Sequence, residues 1–220
     1  MSSPLASDQL DAARIRAALG EKVLIGREII VRQETTSTND SVSQLARGGA
    51  PEGLVVFAEH QTSGRGQRGN VWESAAHKGL WFSILLRPNI AVGDSPRLTQ
   101  WAAKMVAATV EAQCRRKAVI KPPNDVVMAG KKIAGVLVEM RAQPHAPHLA
   151  IVGIGVNVNH QPRDFPPEIR NRASSLAMLL RGSLDRHELA VTLLRNLDLS
   201  YRAAFLAATR DTPLAKSRKA

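Results

Sequence analysis

A glycine-rich, basic segment is the stretch whose composition best suits anion binding. It reads Gly64-Arg65-Gly66-Gln67-Arg68-Gly69-Asn70-Val71-Trp72. The three glycines disfavour regular structure and let backbone N–H groups approach a bulky ligand. Arg65 and Arg68 add permanent positive charges, which suits a phosphate, alone or joined to a carboxylate. Taken alone, however, the segment is better explained as a basic surface hairpin, and it matches neither a Walker loop nor a dinucleotide fingerprint.

Small polar residues form a second candidate binding segment just before a predicted helix. The run is Thr35-Thr36-Ser37-Thr38-Asn39-Asp40, and the helix is expected over 39–46, before Gly48-Gly49. Side-chain oxygens of such residues accept the free N–H groups of a first helical turn, so a capping role explains the run. The same hydroxyls and amide, held at a strand-to-helix junction, could instead bind a small polar ligand.

A predicted hairpin places a carboxylate and a lysine on neighbouring strand ends. It begins with Lys121-Pro122-Pro123-Asn124-Asp125, forms a strand over 126–128, turns at Ala129-Gly130 and returns over 133–140. Asn124 and Asp125 therefore lie at the mouth of the first strand. Lys132 begins the return strand among apolar neighbours, so a purely solvated role is less secure there than for Lys131. Gly135 leaves room beside that strand.

Another predicted strand, over 149–159, combines apolar residues with glycines and asparagines. It contains Gly153, Gly155, Asn157 and Asn159. Glycine weakens a strand, and a buried amide without a partner is costly. Both features are explained if the glycines admit a ligand and the amides bond to it.

The remaining pattern predicts the elements that position these segments. Helices are expected over 8–19, from Asp94-Ser95-Pro96 onward, over 174–180 and from Asp185; further strands are expected over 28–33, 54–58 and 80–86. Spacings of three and four from Leu98 to Thr109 indicate a core-facing helix stripe. Irregularly mixed helices and hairpins predict an α+β fold, a mixed and largely antiparallel sheet with helices mainly on one face. We expect one domain over 8–206, a disordered segment over 1–7 and a basic tail over 207–220.

Composition indicates a globular protein with acidic partners. The chain of 220 residues carries a net charge of +11, a pI near 10.6 and 44% hydrophobic residues. Such a charge favours nucleotides, nucleic acid or an acidic protein surface. The single cysteine, Cys114, excludes an internal disulfide framework and reads as a buried structural thiol. No apolar run of membrane-spanning length and no signal peptide is evident, so a cytoplasmic enzyme is the default.

In this order, the four segments resemble the catalytic domain of biotin protein ligases over roughly residues 8–206. The resemblance is carried by Ser37-Thr38-Asn39, Gln61 with Gly64 to Gly69, Lys121 to Asp125, Lys132 to Glu139, and Gly153 to Asn159. It implies two steps: the biotin carboxylate attacks the α-phosphate of ATP, and a lysine of a biotin carboxyl carrier domain then attacks the resulting biotinyl-5′-AMP. Neither step needs an enzyme nucleophile, and the residues suggest none.

The resemblance also implies a role for each candidate residue. The catalytic pair would be Lys132, bridging the biotin carboxylate and the α-phosphate, and Arg65. Biotin would be bound by Ser37, Thr38, Asn39, Gln61, Arg65, Gly66, Gln67, Lys132 and Gly135. ATP or the adenylate would be bound by Gly64, Arg68, Trp72, Asn124, Asp125 and Asn157, of which Asn157 would contact adenine. Asp125 would be the protein ligand of a Mg²⁺ that arrives mostly on ATP.

Departures from the family pattern produce further expectations. Gln67 and Asn70 stand at positions usually basic, which predicts weaker retention of the adenylate, and Pro122 stands where a tryptophan is usual, which bears on ATP affinity. No helix-turn-helix is evident before Ser37, so no DNA binding is expected, and no membrane association is expected because there is no long apolar run. No C-terminal β-domain is evident after Asn159 either. A homodimer is possible. Two alternatives stay open: a lipoate or octanoate ligase of the same superfamily, and a non-catalytic basic binding protein.

Overall fold

The computed structural model describes residues 8–144 and 147–206. Its strands are β1 (Glu28–Thr35), β2 (Leu54–Gln61), β3 (Gly79–Leu86), β4 (Ala118–Lys121), β5 (Asp125–Met128), β6 (Lys131–Arg141) and β7 (Leu149–Asn157). Its α-helices are α1 (Ala12–Leu19), α2 (Thr38–Arg47), α3 (Ser95–Cys114), α4 (Leu176–Leu180) and α5 (Arg186–Tyr201). The segments 1–7 and 207–220 lie outside the described residues, so the disorder and the basic tail expected there stay predictions.

The strands form one mixed sheet in the order β1-β2-β3-β7-β6-β5-β4. Strands β1 and β2 run parallel, and every other neighbouring pair is antiparallel. The predicted α+β class with a largely antiparallel sheet is therefore confirmed. The sequence pattern does not predict β4, because its four residues are followed by two prolines. This strand forms by pairing with β5, where Val119 lies opposite Val127.

Capping residues fix where α1 begins and ends. The Asp11 carboxylate accepts the N–H of Arg14 at 2.8 Å, and Gly20 follows the helix with φ +81°. The helix thus begins at Ala12 rather than at Asp8, the predicted start. Asp8 instead contacts Arg186 of α5, with its Oδ2 3.0 Å from Nε. The local sequence pattern assigns Asp8 to the helix, but in the structure Asp8 pairs with an arginine that is distant in the sequence.

Three helices, α1, α3 and α5, cover one face of the sheet and enclose the larger apolar core. The predicted stripe of α3 is buried there, with Met105 partly buried. Burial also raises the pKa of the Cys114 thiol, as suits a structural cysteine. On the opposite face α2 packs through Val42. Because side chains alternate along a strand, Gly153 and Gly155 point toward that opposite face, beside α2.

Arg186 forms a buried ion group that ties α5 to β2. Its side chain is fully buried and its Nη1 lies 2.7 Å from Oε2 of Glu59, which is also fully buried. The other carboxylate oxygen of Glu59 accepts the N–H of Leu10 at 2.5 Å. Arg186 Nη1 also donates to the Gly79 carbonyl at 3.1 Å. Desolvation of both charges is thus offset by direct pairing and further hydrogen bonds.

Candidate active site

The small polar residues at the start of α2 are buried and turned toward the sheet. Ser37, Thr38 and Asn39 are each less than 5% exposed. Ser37 occupies the N-cap position, yet its side chain forms no capping hydrogen bond. The capping interpretation of this run therefore does not account for Ser37, and its hydroxyl stays available to a ligand.

Asn39 is held at both ends of its amide. Its Oδ1 accepts a hydrogen bond from the Ser83 hydroxyl at 2.5 Å, and its Nδ2 donates to Oε2 of Glu139 at 2.6 Å. Gly153 lies directly beneath: a Cβ built there would be 2.3 Å from Asn39 Oδ1. The glycine therefore makes room for a protein side chain, rather than for a ligand as the sequence suggests, and that side chain faces the cavity.

Gln61, the last residue of β2, connects α2 to the segment after the loop. Its Oε1 accepts from both the backbone N–H and the hydroxyl of Thr38, at 2.8 and 3.1 Å. Its Nε2 donates to the Ser74 hydroxyl at 3.0 Å. The polar pocket formed by these residues and Asn39 is thus preorganised by its own hydrogen bonds. We call it the head pocket.

The glycine-rich loop is folded back on itself. Gly66 donates its N–H to the Asn70 carbonyl at 2.7 Å, and Trp72 donates to the Gly64 carbonyl at 2.9 Å. A Cβ at Gly64 would meet the Trp72 carbonyl oxygen at 2.4 Å, so this crossing requires glycine. Arg68 turns the chain with φ +57°.

Arg65 is bound by two carboxylates. Its Nη1 lies 2.6 Å from Oδ2 of Asp40, and its Nη2 lies 3.3 and 3.2 Å from the two oxygens of Glu139. The hydrogen bond to Asp40, together with the charge of Glu139, raises the pKa of Arg65 above its ordinary value despite partial burial. The loop is thereby fastened to α2 and to β6.

Trp72 forms the wall between two cavities. Cβ atoms built at Gly135 and Gly155 would lie 2.8 and 2.5 Å from its indole, so these glycines accommodate the ring. The Lys132 Nζ lies 5.2 Å from the ring centroid, within cation–π range, and 2.6 Å from Oδ1 of Asp125. The indole Nε1 is buried without a hydrogen-bond partner among the described residues.

The first cavity, of about 220 Å³, brings most of the predicted residues together. Those lining it are Ser37, Thr38, Asn39, Gln61, Arg65, Gly66, Gln67, Arg68, Trp72, Asn124, Asp125, Lys132 and Gly135. A second cavity, of about 550 Å³, adjoins it and is lined by Asn157 together with Trp72, Asp125 and Lys132. Gly64 lies on the wall of neither cavity, and its part is the chain crossing behind the loop.

Two predicted asparagines are engaged by backbone carbonyls. Asn124 Nδ2 donates to the Val136 carbonyl at 2.8 Å and so holds the hairpin, while Asn157 Nδ2 donates to the Ser174 carbonyl at 3.0 Å. A ligand contact by Asn157 must therefore use its carbonyl oxygen or its remaining N–H. Each amide has a structural role whatever it binds.

Sequence reasoning missed Ser83 and gave no role to Asp40 or Glu139. Ser83 is fully buried, and its Oγ also lies 2.7 Å from Thr38 Oγ1. A single hydroxyl inside the apolar run 80–86 was the available signal. Nothing local could pair Arg65 with Glu139, because 74 residues separate them.

Comparison with known proteins decides the family. A family model described as "Biotin/lipoate A/B protein ligase family" matches residues 30–157. The chain belongs to this family. Curated relatives in the biotin/lipoate protein ligase family include the "Bifunctional ligase/repressor BirA" of Bacillus subtilis, 39% identical over 178 residues that cover 81% of this chain and 54% of that protein. Another is the "Biotin--[acetyl-CoA-carboxylase] ligase" of Mycobacterium tuberculosis, 34% identical and covering 86% and 73%.

Solved structures support the same family fold. The biotin protein ligase of Aquifex aeolicus, solved with biotin and ATP, matches with a TM-score of 0.67 and 31% identity, covering 80% of this chain and 72% of that one. The chain spans about half the length of the first curated relatives. Among its described residues, no helix is long and apolar enough to cross a membrane.

Proposed function

We propose that the chain is an ATP-dependent biotin protein ligase, forming biotinyl-5′-AMP and transferring biotin to a lysine of a biotin carboxyl carrier domain. The observation that carries this proposal is the pair of adjoining cavities that share Lys132. One contains the neutral, hydrogen-bonded head pocket, and the other is larger and open enough for a nucleotide. The names of the relatives and the biotin- and ATP-bound neighbour support the same substrates.

In the first step a biotin carboxylate oxygen forms a bond to the α-phosphorus, and the bond from that phosphorus to pyrophosphate breaks. Two anions must approach each other, so the chief task of the protein is positioning and charge compensation. Lys132 suits this task because its ammonium lies on the border of both cavities. The indole of Trp72 shields one side of that ammonium from water and so strengthens its field.

In the second step the acceptor lysine amine attacks the carbonyl carbon of the adenylate. A C–N bond forms, the C–O bond to AMP breaks, and the amine loses a proton. Because phosphate is already the leaving group, no nucleophilic side chain is required of the enzyme. Cys114, the single thiol, is buried in the core on the other face of the sheet.

Magnesium would be held mainly by ATP oxygens, with Asp125 as its protein ligand. A hard cation of this size commonly takes one carboxylate together with phosphate oxygens and water. Asp125 fits because its partly buried carboxylate borders both cavities, where it also pairs with Lys132. Within the described ranges no group of three or more acidic, histidine or cysteine side chains could hold the ion unaided. When bound, the ion would offset phosphate charge.

The proposed partners are biotin, ATP and the carrier domain of a biotin-dependent carboxylase. We propose a cytoplasmic location, no DNA target and a possible homodimer. The basic chain suits an acidic carrier surface, since opposite charge speeds encounter.

The test is biotin-dependent exchange of labelled pyrophosphate into ATP by the wild type, Lys132→Ala and Lys131→Ala. Lys131 is the matched control because it neighbours Lys132 in sequence yet lines neither cavity. Loss of a charge-stabilising group of this kind lowers the rate by roughly 10²- to 10³-fold. We expect that loss for Lys132→Ala and near wild-type exchange for Lys131→Ala.

Two other outcomes would favour a different function. Exchange that requires lipoate or octanoate rather than biotin would assign the chain to the other branch of the superfamily. Well-folded protein without any exchange, but with nucleic-acid affinity that falls steeply with salt, would favour a non-catalytic binding protein.

A further inference from the structure

Arg65 and Lys132 both line the first cavity and meet β6 at different points along its length. A Cβ at Gly135 would be 3.5 Å from the Lys132 Nζ, so that ammonium lies beside Gly135. The Arg65 guanidinium is bound by Glu139, four residues further along β6. Four residues of extended strand span about 13 Å. The Arg65 guanidinium is therefore held further along β6 than the Lys132 ammonium, and it shares the Glu139 carboxylate with Asn39.

We propose that Arg65 is a latch for the glycine-rich loop, that Asp40 and Glu139 are positioning residues holding it over the head pocket, and that Glu139 couples the loop to Asn39. The inference deepens the proposed function, on which its ligand rests. It also reassigns Arg65, because two carboxylates compensate the charge of this guanidinium, whereas a single carboxylate, Asp125, pairs with Lys132.

The coupling passes through one carboxylate. Glu139 Oε2 accepts hydrogen bonds from both Asn39 Nδ2, at 2.6 Å, and Arg65 Nη2, at 3.2 Å. Asn39 is in turn fixed by Ser83. A neutral polar ligand bonded to Asn39 would steady Glu139 and so strengthen the hold on Arg65. Departure of the ligand would loosen both.

The contacts are of the kind that can hold a loop yet still release it. Charge-assisted bonds to a planar guanidinium are strong and directional. The side chains of Arg65, Asp40 and Glu139 are, however, 40%, 50% and 39% exposed, so water and salt weaken the pairing. For pairs of this exposure a change of roughly two- to fivefold in loop opening is expected.

The experiment compares wild type with Asp40→Asn, Arg65→Gln and the double variant. The matched control is Asp94→Asn, which removes a similarly exposed aspartate–arginine pair, with Arg97, far from the cavity. The first measurement is the rate of tryptic cleavage after Arg68 in the ligand-free protein, followed by mass spectrometry. Arg68 is exposed and retained in every variant.

We expect each single variant to be cleaved roughly two- to fivefold faster than wild type, with no further increase in the double variant. The difference should vanish at about 0.5 M salt, where exposed charges are screened. Biotin should dissociate faster by the same factor, and in Asp40→Asn the KM for ATP should stay unchanged. The Asp94→Asn control should match wild type throughout.

A second pair of variants tests the coupling through Glu139. Glu139→Gln keeps an oxygen for Asn39 but loses the charge that binds Arg65, whereas Glu139→Ala loses both. Both should speed cleavage, and only the alanine variant should lose a further severalfold in biotin affinity.

Opposite results would overturn the proposal. If Arg65 is an anion receptor, Asp40→Asn frees it, so ATP binding tightens and cleavage after Arg68 does not change. Equal biotin affinity for Glu139→Gln and Glu139→Ala would remove the coupling. Absence of biotin binding in wild type would instead refute the proposed function. The cleavage rates of the ligand-free proteins would still test whether Asp40 and Glu139 hold the loop through Arg65.

Discussion

Gly153→Ala should damage biotin recognition through a single added methyl group. The new Cβ would lie 2.3 Å from Asn39 Oδ1 and 3.1 Å from its Cγ. The alanine itself carries no backbone penalty, since Gly153 does not have a positive φ. The Asn39 amide must therefore move by about 1 Å to reach an ordinary contact distance. Its bonds to Ser83 and Glu139, now 2.5 and 2.6 Å, would then stretch to about 3.5 Å and be lost.

The magnitude follows from these two bonds. A neutral hydrogen bond is worth about 1 kcal/mol net and one to a carboxylate about 1.5–3 kcal/mol. We expect about 2.5–4 kcal/mol of lost folding stability, a fall in Tm of roughly 5–16 °C for a chain of this size. Misplacement of the amide should also weaken biotin binding by roughly 10- to 100-fold.

The assay is calorimetric titration with biotin, alongside thermal unfolding and the KM for ATP. Gly182→Ala is the matched control, because a Cβ there meets nothing within 4 Å and the residue has no positive φ. The control should bind biotin like wild type. If folded Gly153→Ala binds biotin with unchanged affinity, the Asn39 amide does not bind biotin. The KM for ATP should change little, since we propose that the nucleotide binds in the other cavity.

Three further predictions concern stability and product retention. Burial lowers the pKa of His160 from 6.5 to about 4. Over this pH range the unfolded chain therefore binds a proton that the native state does not. The free energy of unfolding should fall by up to about 3 kcal/mol as the pH drops from about 6.5 to 4. In His160→Phe, urea unfolding should show a weaker dependence of this free energy on pH, and an unchanged dependence would contradict the prediction. Arg186→Met should cost about 3–5 kcal/mol in the free energy of unfolding, because it leaves the buried Glu59 carboxylate without its cation, and near-native stability would refute this role. Gln67→Arg should slow release of biotinyl-AMP, measured as reduced labelling of bystander protein lysines, and equal labelling by both proteins would count against weak retention.

Local sequence was sufficient for most of the elements and for the composition of the site. The apolar runs, the caps of α1, α3 and α5, and the glycine at 130 are short-range signals, and each element they predicted is present. The small polar residues at 37–39 and the lysine at 132 can likewise be recognised as candidate site residues from their neighbours in the chain. Interactions within a few residues decide such features, so they can be read without knowing the fold.

Tertiary structure decided which groups meet. The sequence does not pair Arg65 with Glu139 or Asn39 with Ser83, and it assigns Asp8 to a helix rather than to Arg186. It likewise suggests that the glycines of β7 admit a ligand, whereas they accommodate Asn39 and Trp72. Each of these contacts joins residues that are far apart in the chain. Whether such residues meet depends on the order and register of the strands. Hydrophobic burial of the whole sheet determines that order and register, and local propensity does not encode them.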